Sequence, residues 1–553
     1  MSRPVDFARL KEDIQKTLFD YVAADTVTDS EHEHKVGAFF EQRIGSLPYF
    51  KEHPEYWGMY PIPNDYRGRH VCWSMVKGKG NRTVVLIHHY DVVPVEDFKT
   101  LKDYAFKPVE LKEKLEEIAE TLPEDACKDL KDGGWFFGRG VCDMKGGGSI
   151  QYSLLTQYSE DPDFEGNVIV IGVPDEENLS AGMRGAILLL NELKDKYGLE
   201  YEFMFNSEPH QRKDFSKAVF SCGSIGKLMP FVYIRGFLAH VGKSFEGINP
   251  VGIMGDVVSG LELNMDLADA YAGECAPGPT WLYLKDSKIS YDVSMPLNMY
   301  GCLSVLTLIQ SPQELLSKVK VVCEDAFDKA IARAQRSYEI FLKNTGREPE
   351  QLPWKTNVKT FGDLYRQISA QDASFEADYK AFDAGLQEQF LAGKLSIIDY
   401  NYKLLDFMMD RRAGSEPTIV YGLVPPYYPA VSNFEYEKQG GIAAGLVDTL
   451  TKLSVEQFGL DYEKEYFYTG ISDLSYAQMK DAKDVRAALE DSTPLFGGVY
   501  DVPLEAIEAI SMPVMNIGPW GKDFHKMTER VLIEDELVRT PAILHKAICE
   551  VLK

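Results

Sequence analysis

Apolar positions recur at helical spacing from the start of the chain. Phe7, Leu10, Ile14, Leu18 and Tyr21 share one face, and Val36, Phe39, Phe40, Ile44 and Leu47 extend the pattern, so two amphipathic helices are expected over 5–47. The period then shortens to that of strands at 69–76 and 83–89. A polar, helix-prone stretch from 97 to 131 is broken by Pro108 and Pro123. Beyond it, apolar strands at 168–173 and 201–205 alternate with apolar helices opening near Gly146 and at 185–196, the order of a doubly wound α/β sheet. The texture changes near Gly223. A strand is expected at 228–235, a helix at 251–263 after Asn249-Pro250, long charged helices over 311–344 and 358–411, and a strand near 419–428. Helix returns at 440–458, and a last apolar run covers 514–517. No internal repeat or low-complexity tract interrupts this order.

The run Val84-Val85-Leu86-Ile87-His88-His89-Tyr90-Asp91-Val92-Val93-Pro94 stands out. Four apolar residues read as a strand buried on both faces, yet the run ends in imidazole and carboxylate, and Pro94 stops it. Polar groups are costly at the tip of such a strand unless something there uses them. In open α/β sheets ligands sit beyond the carboxyl ends of the strands, so this tip is expected to supply the first ligand of a metal site.

Length and charge narrow the choice. A chain of 553 residues exceeds what one core usually serves, so two or more domains are expected. The formal charge of −26 argues against nucleic acid or an anionic membrane as partner. Eight cysteines without a C-x-x-C pair suit neither a disulfide scaffold nor a structural zinc site and read as free thiols in a reducing compartment. Without an apolar signal core or a run near 18 apolar residues, a cytoplasmic protein is expected.

Acids and imidazoles fall at five strand or loop ends: His89 with Asp91, Asp143, Glu176-Glu177, Glu208 and His525. Each has a bland reading alone, as a core histidine, a helix cap or a solvated turn. The glycines around Asp143 lack both phosphate-loop spacings. His32 and His34, among Glu31 and Glu33, read as a charged helix start. Together the five suit borderline divalent metals, with two histidines and three carboxylates able to serve two ions that share one carboxylate. A further carboxylate is then needed to take a proton from water. Adjacent Glu176 and Glu177 point opposite ways in extended chain, so one can bind metal while the other acts as base.

These segments resemble, in order, the motifs of the M20 metallopeptidases and the related aminoacylase and carboxypeptidase-like amidohydrolases. His89-Tyr90-Asp91-Val92-Val93-Pro94 is similar to the family's H-x-D-V-V-P, and 138–147 to its G-R-G-x-x-D-M-K-G-G. Asp175-Glu176-Glu177, Ser207-Glu208-Pro209, Ala239-His240 with Gly247 and Asn249, and Gly518-Pro519 with His525 and Glu529 follow in turn. The resemblance implies an α/β, zinc-peptidase-like catalytic domain, a mixed sheet flanked by helices, in two pieces (1–223 and 433–553). An inserted α+β lid or dimerisation domain, enlarged by helices, would occupy 224–432. It implies two divalent ions, zinc first with manganese or cobalt compatible, one held by His89, Asp143 and Glu208 and the other by Asp143, Glu177 and His525. Glu176 would be the general base, Asp91 would orient His89, and His240 of the lid would stabilise the oxyanion. The family's bridging aspartate often precedes a cis peptide, which marks Asp143–Met144. His-x-Asp spacing favours His89 over His88 as ligand.

The implied activity is cleavage of an amide in a small N-acyl amino acid or short peptide, with no nucleic-acid or membrane partner and a homodimer through the lid compatible. The enlarged lid and the Gly-Pro-Trp near the last ligand resemble the arginine-utilisation branch, which suggests amino-acid catabolism. Gly470-Ile471-Ser472-Asp473 is similar to G-x-[ST]-D but lacks the arginine that often follows, leaving Arg411 and Arg412 as weak substitutes for binding a substrate carboxylate. The competing reading is a non-catalytic metal-binding regulatory or partner-binding protein on the same fold; such a protein has no need of Glu176.

Overall fold

The computed structural model describes residues 5–212 and 216–553. The chain forms two compact units, Met1–Ser224 with Val431–Lys480 and Glu505–Lys553, and Ile225–Ala430 with Asp481–Leu504.

The first unit is built on an eight-stranded mixed sheet. Its labelled elements in chain order are α1 (Phe7–Val22), β1 (Trp57–Pro61), β2 (His70–Lys77), β3 (Lys79–His89), α2 (Lys145–Ser159), β4 (Glu165–Val173), α3 (Ala181–Tyr197), β5 (Glu200–Asn206), β6 (Lys217–Ser221), α4 (Ala443–Phe458), β7 (Asp461–Glu465), β8 (Val514–Asn516) and α5 (Thr540–Leu552). The strand order is β1-β2-β4-β3-β5-β8-β6-β7. The central strands β4, β3, β5 and β8 run parallel, with Leu86 opposite Val170 on one side and Phe205 on the other. Their carboxyl ends therefore meet at one edge.

Burial explains the composition of these strands. Every residue from Val84 to His89 is buried. Alternate residues feed opposite faces: Val84 and Leu86, with Val168, Val170, Phe203 and Phe205, meet Ile150 and Leu154 of α2, Leu446 of α4, and Ile543 and Leu544 of α5. On α1 the expected stripe of Leu10, Ile14, Leu18 and Tyr21 is the buried face, and Asp6 caps the helix by accepting the N–H groups of Ala8 and Arg9. α3 packs against β1, β2 and β4 and stops at Gly198, whose φ of 64° suits glycine. The second expected helix runs unbroken through Val36–Phe40 and Glu41–Gly45 and buries Val36, Phe39, Phe40 and Ile44. The polar 97–131 segment folds as Pro108–Glu117 and Glu124–Asp132 around Phe98, Leu111, Leu115 and Leu130.

The second unit contains a sheet ordered Thr280–Asp286, Asn298–Thr307, Pro230–Arg235, Thr418–Leu423 and Val358–Thr360, with Gly226–Leu228 also pairing Asn298–Thr307. The long helix expected from 311 is Pro312–Asn344, opened by a reciprocal cap between Ser311 and Glu314. After a short strand, Val358–Thr360, the long helical pattern expected over 358–411, with few breaks, is three helices, Phe361–Gln371, Phe375–Leu391 and Ile397–Arg411. Their inner faces, with Leu364, Phe375, Leu404 and Met408, close over Phe231, Tyr233 and Tyr300 of the sheet. Strands Thr280–Asp286 and Asn298–Thr307 lie where none was expected. All eight cysteines are free thiols. Among the described residues, no helix is long and apolar enough to cross a membrane.

Candidate metal centre

Three neighbouring parallel strands deliver the site. β3 ends in His89, β4 runs out into the loop with Glu176 and Glu177, and β5 leads into Glu208. Asp143 precedes α2, and His525 lies on the loop after β8 with φ of 61°. The Asp143–Met144 peptide is cis, as the motif suggested.

Asp143 lies between two imidazoles. Its Oδ1 is 3.0 Å from His89 Nε2, and its Oδ2 is 3.2 Å from His525 Nε2. Glu208 Oε1 is 3.4 Å from His89 Nε2, and Glu177 Oε1 is 3.0 Å from His525 Nε2. One potential ligand atom from each of His89, Asp143 and Glu208 falls within 4.8 Å of the others, and the same holds for Asp143, Glu177 and His525. Two donor groups thus share one aspartate.

The donor set fits divalent ions. Lone pairs of imidazole nitrogen and carboxylate oxygen held this close repel unless a proton or a cation stands between them. Ligands about 2.0–2.1 Å from a tetrahedral zinc are about 3.3 Å apart, close to the spacings above. The electrostatics speak the same way. Burial opposes charge on His89, but Glu208, Asp143 and Glu176 outweigh it and hold the imidazole well above its ordinary value. His525 is pushed up to about 10 by its hydrogen bonds to Asp143 and Glu177. Burial raises Glu208, with Asp143 and Glu177 adding to it, and burial with Asp143 raises Glu177. A cluster that retains protons so strongly is a cluster short of positive charge.

Glu176 differs from its neighbour. Among the described residues no side chain hydrogen-bonds its carboxylate. Burial, and after it Glu208, Asp473 and Glu177, keep that carboxyl well above the usual range, although His89 opposes them. A buried carboxyl shifted upward in this way, beside a cluster of metal-type donors, marks a candidate proton carrier.

Asp91 is more than a partner of His89. The ring Nδ1 of His89 lies 2.9 Å from the Asp91 carbonyl and 3.7 Å from its carboxylate. The carboxylate instead accepts the backbone N–H groups of Glu176 at 3.1 Å and Glu177 at 3.2 Å. One aspartate therefore ties the tip of β3 to the loop after β4. His88 faces the other way, between the Tyr21 hydroxyl at 3.1 Å and Gln151 at 2.9 Å, and burial lowers it to about 3. That alternation is the two-residue period of a strand.

Several supporting residues have no role in the sequence reading, where Glu529 and Asp473 enter only as motif letters and Tyr468 does not enter. Glu529, seen only as a motif letter, accepts the backbone N–H groups of Gly140, Cys142 and Asp143 and pairs with Arg139 at 2.6 Å. Asp473, buried and pushed up to about 7 chiefly by that burial, adds its field to Glu176 and Glu208. The Tyr468 phenol is held well above its ordinary value by burial and by Glu208, Asp143 and Glu176.

Other expected residues belong to the second unit. His240 is exposed there, and its Nδ1 accepts the N–H of Gly242 at 3.0 Å. Arg411 is engaged by Asp372 and Asp378, and Arg412 by Thr418 and Glu416. Both arginines offered as substitutes for a substrate-binding arginine are thus committed to internal partners. His34 bonds the Arg67 carbonyl, while Glu33 between the two early histidines is fully buried.

Residues 85–550 match the model of peptidase family M20/M25/M40. The chain belongs to this family. It is 31% identical over 546 residues to protein YqjN of Bacillus subtilis (strain 168), covering 98% of this chain and 97% of YqjN. It is 27% identical to protein RocB of the same organism, covering 94% of this chain and 91% of RocB. The M20 fold is shared with human carnosine dipeptidase 1, at a TM-score of 0.52 and 11% identity over 99% of each chain. The mixed sheet flanked by helices is the M20 architecture.

Proposed function

We propose that this protein is a two-metal amidohydrolase that cleaves an amide bond in a small N-acyl amino acid or a short peptide. The observation that carries this reading is the sharing of Asp143 between two donor groups, with Glu176 left unbonded beside them. His89, Asp143 and Glu208 would hold one ion and Asp143, Glu177 and His525 the other. Two divalent ions, zinc by donor type with manganese or cobalt compatible, would supply Lewis acidity toward a carbonyl and make a water acidic near neutrality.

The chain's own residues supply the rest. Glu176 takes a proton from the attacking water and returns it to the leaving nitrogen, a use that its raised affinity for protons suits. Asp91 fixes Glu176 and Glu177 through their backbone N–H groups and His89 through its carbonyl. By the family resemblance, His240 would steady the oxyanion. Resemblance to the arginine-utilisation branch supports a substrate from arginine or amino-acid catabolism.

A panel of N-acyl amino acids and dipeptides, with and without chelator, tests the reading. Hydrolysis should be chelator-sensitive, and Glu176→Gln should bind two ions yet lose about 10²–10⁴ in turnover. A panel without chelator-sensitive hydrolysis would favour a binding protein; full turnover by Glu176→Gln would remove the base.

A further inference from the structure

The position of the Glu176 carboxylate is set through its backbone, since among the described residues no side chain bonds it. Two anchors hold that backbone. Asp91 receives the N–H groups of Glu176 and Glu177. The second anchor is the preceding residue, Asp175, which is buried and has φ of 68°. Its carboxylate accepts the N–H of Ala181 at 3.0 Å and the Asn178 amide at 3.2 Å, and its carbonyl accepts the N–H of Ser180 at 2.7 Å. The loop from β4 to α3 therefore closes on Asp175.

Asp175 is in turn gripped by Arg69, a residue 106 positions earlier that no motif includes. Arg69 is 1% exposed, and its Nη1 lies 2.5 Å from Asp175 Oδ1 and 3.2 Å from Glu33 Oε2. Its Nη2 and Nε reach Asp65 at 2.7 and 3.1 Å. A guanidinium can serve three carboxylates in one plane; a lysine ammonium is a point charge without that fork.

We propose that Arg69 is a positioning residue for the Glu176 carboxylate, acting through the side chain of Asp175. The inference rests on Glu176 being the proton carrier. Arg69→Lys keeps the charge but cannot hold Asp65, Glu33 and Asp175 together, so the loop should shift while the ion ligands stay. Asp175→Asn removes the other half of the grip.

Each substitution is made in the full chain alone and together with Glu176→Gln, and assayed on the panel's best-hydrolysed compound. Ion stoichiometry and amide hydrogen exchange over 174–181 are measured beside kcat and KM. With Glu176 in place, kcat should fall about 100-fold with KM and ion stoichiometry unchanged. Exchange in the loop should quicken by about tenfold or more. Together with Glu176→Gln, the same changes should alter the residual rate by no more than about twofold, because their target is gone. An equal loss in both backgrounds, or loop exchange identical to wild type, would overturn the positioning role. Full turnover by Glu176→Gln would instead sink the base, and the exchange readout would still decide for or against Arg69. Should Arg69→Lys fail to fold, Asp175→Asn carries the same comparison.

Discussion

Glu529 accepts the backbone N–H of Asp143 at 3.3 Å across 386 residues of sequence. The same oxygen takes the N–H groups of Gly140 and Cys142, and the other oxygen pairs with Arg139. The segment that aims Asp143 at both imidazoles is thus moulded around one buried carboxylate. Glu529→Gln keeps the shape but removes the charge and sets an amide against three N–H donors and a guanidinium. Affinity for divalent ions should fall about 10–100-fold, as outer partners of metal ligands usually require. Titration calorimetry with zinc checks it; wild-type affinity would show that the backbone holds Asp143 unaided.

The glycines after Asp143 are required by contact. A Cβ on Gly147 would fall on the Ser207 carbonyl, and one on Gly148 would lie 2.5 Å from the His88 ring. α2 therefore presses directly on the residue before Glu208. Because the obstacle is backbone, Gly147→Ala should cost about 1–3 kcal/mol and displace Glu208. Urea unfolding measures the first effect and loss of the His89-side ion the second. Unchanged stability with both ions retained would contradict this packing.

Acidification should weaken the fold through histidines buried in the neutral form. His545 on α5 meets the Tyr158 hydroxyl at 2.9 Å, and burial, with Lys546 adding, lowers it to about 4. The unfolded chain takes up this proton near pH 6.5 and the folded chain only near 4. Stability is therefore full above about 6.5 and declines as pH falls between those values, by about 2 kcal/mol at pH 5 from this group. His545→Gln keeps an acceptor for Tyr158 and removes the titration. Urea midpoints at pH 7.5 and 5 should lie closer together in the variant; an unchanged gap would clear His545 of the effect. His88 and His210, lowered to about 3 and about 4 chiefly by burial, contribute with the same sign.

Much of the first unit could be read in the chain because its signals are local. Val84 to His89 shows in six letters a strand buried on both faces and the polar tip it ends in, and the acids at neighbouring tips follow the same logic. The inner support could not be read this way. Glu33 looks like a solvated charge between two histidines, and only the fold brings Arg69 and Asp175 to it. Thr280–Asp286 does not read as a strand because its outward residues Leu282 and Leu284 are apolar and exposed, which removes the alternation that marks a half-buried strand. The 358–411 stretch reads as helical throughout with its breaks hard to place, because they are weak: Asp372 and Ser374 turn the chain without proline, and Gly393 does so once. Residues 481–504 sit in sequence between segments of the first unit yet pack with the second, which no local pattern announces.

The central claim is that one aspartate serves two cations. Crystals of the full chain grown with zinc, measured on both sides of the zinc absorption edge, test it most directly. Two anomalous peaks about 3.5–4 Å apart are expected, one beside His89 and Glu208 and the other beside Glu177 and His525, with Asp143 touching both. A single peak, or two peaks of which only one contacts Asp143, would contradict it.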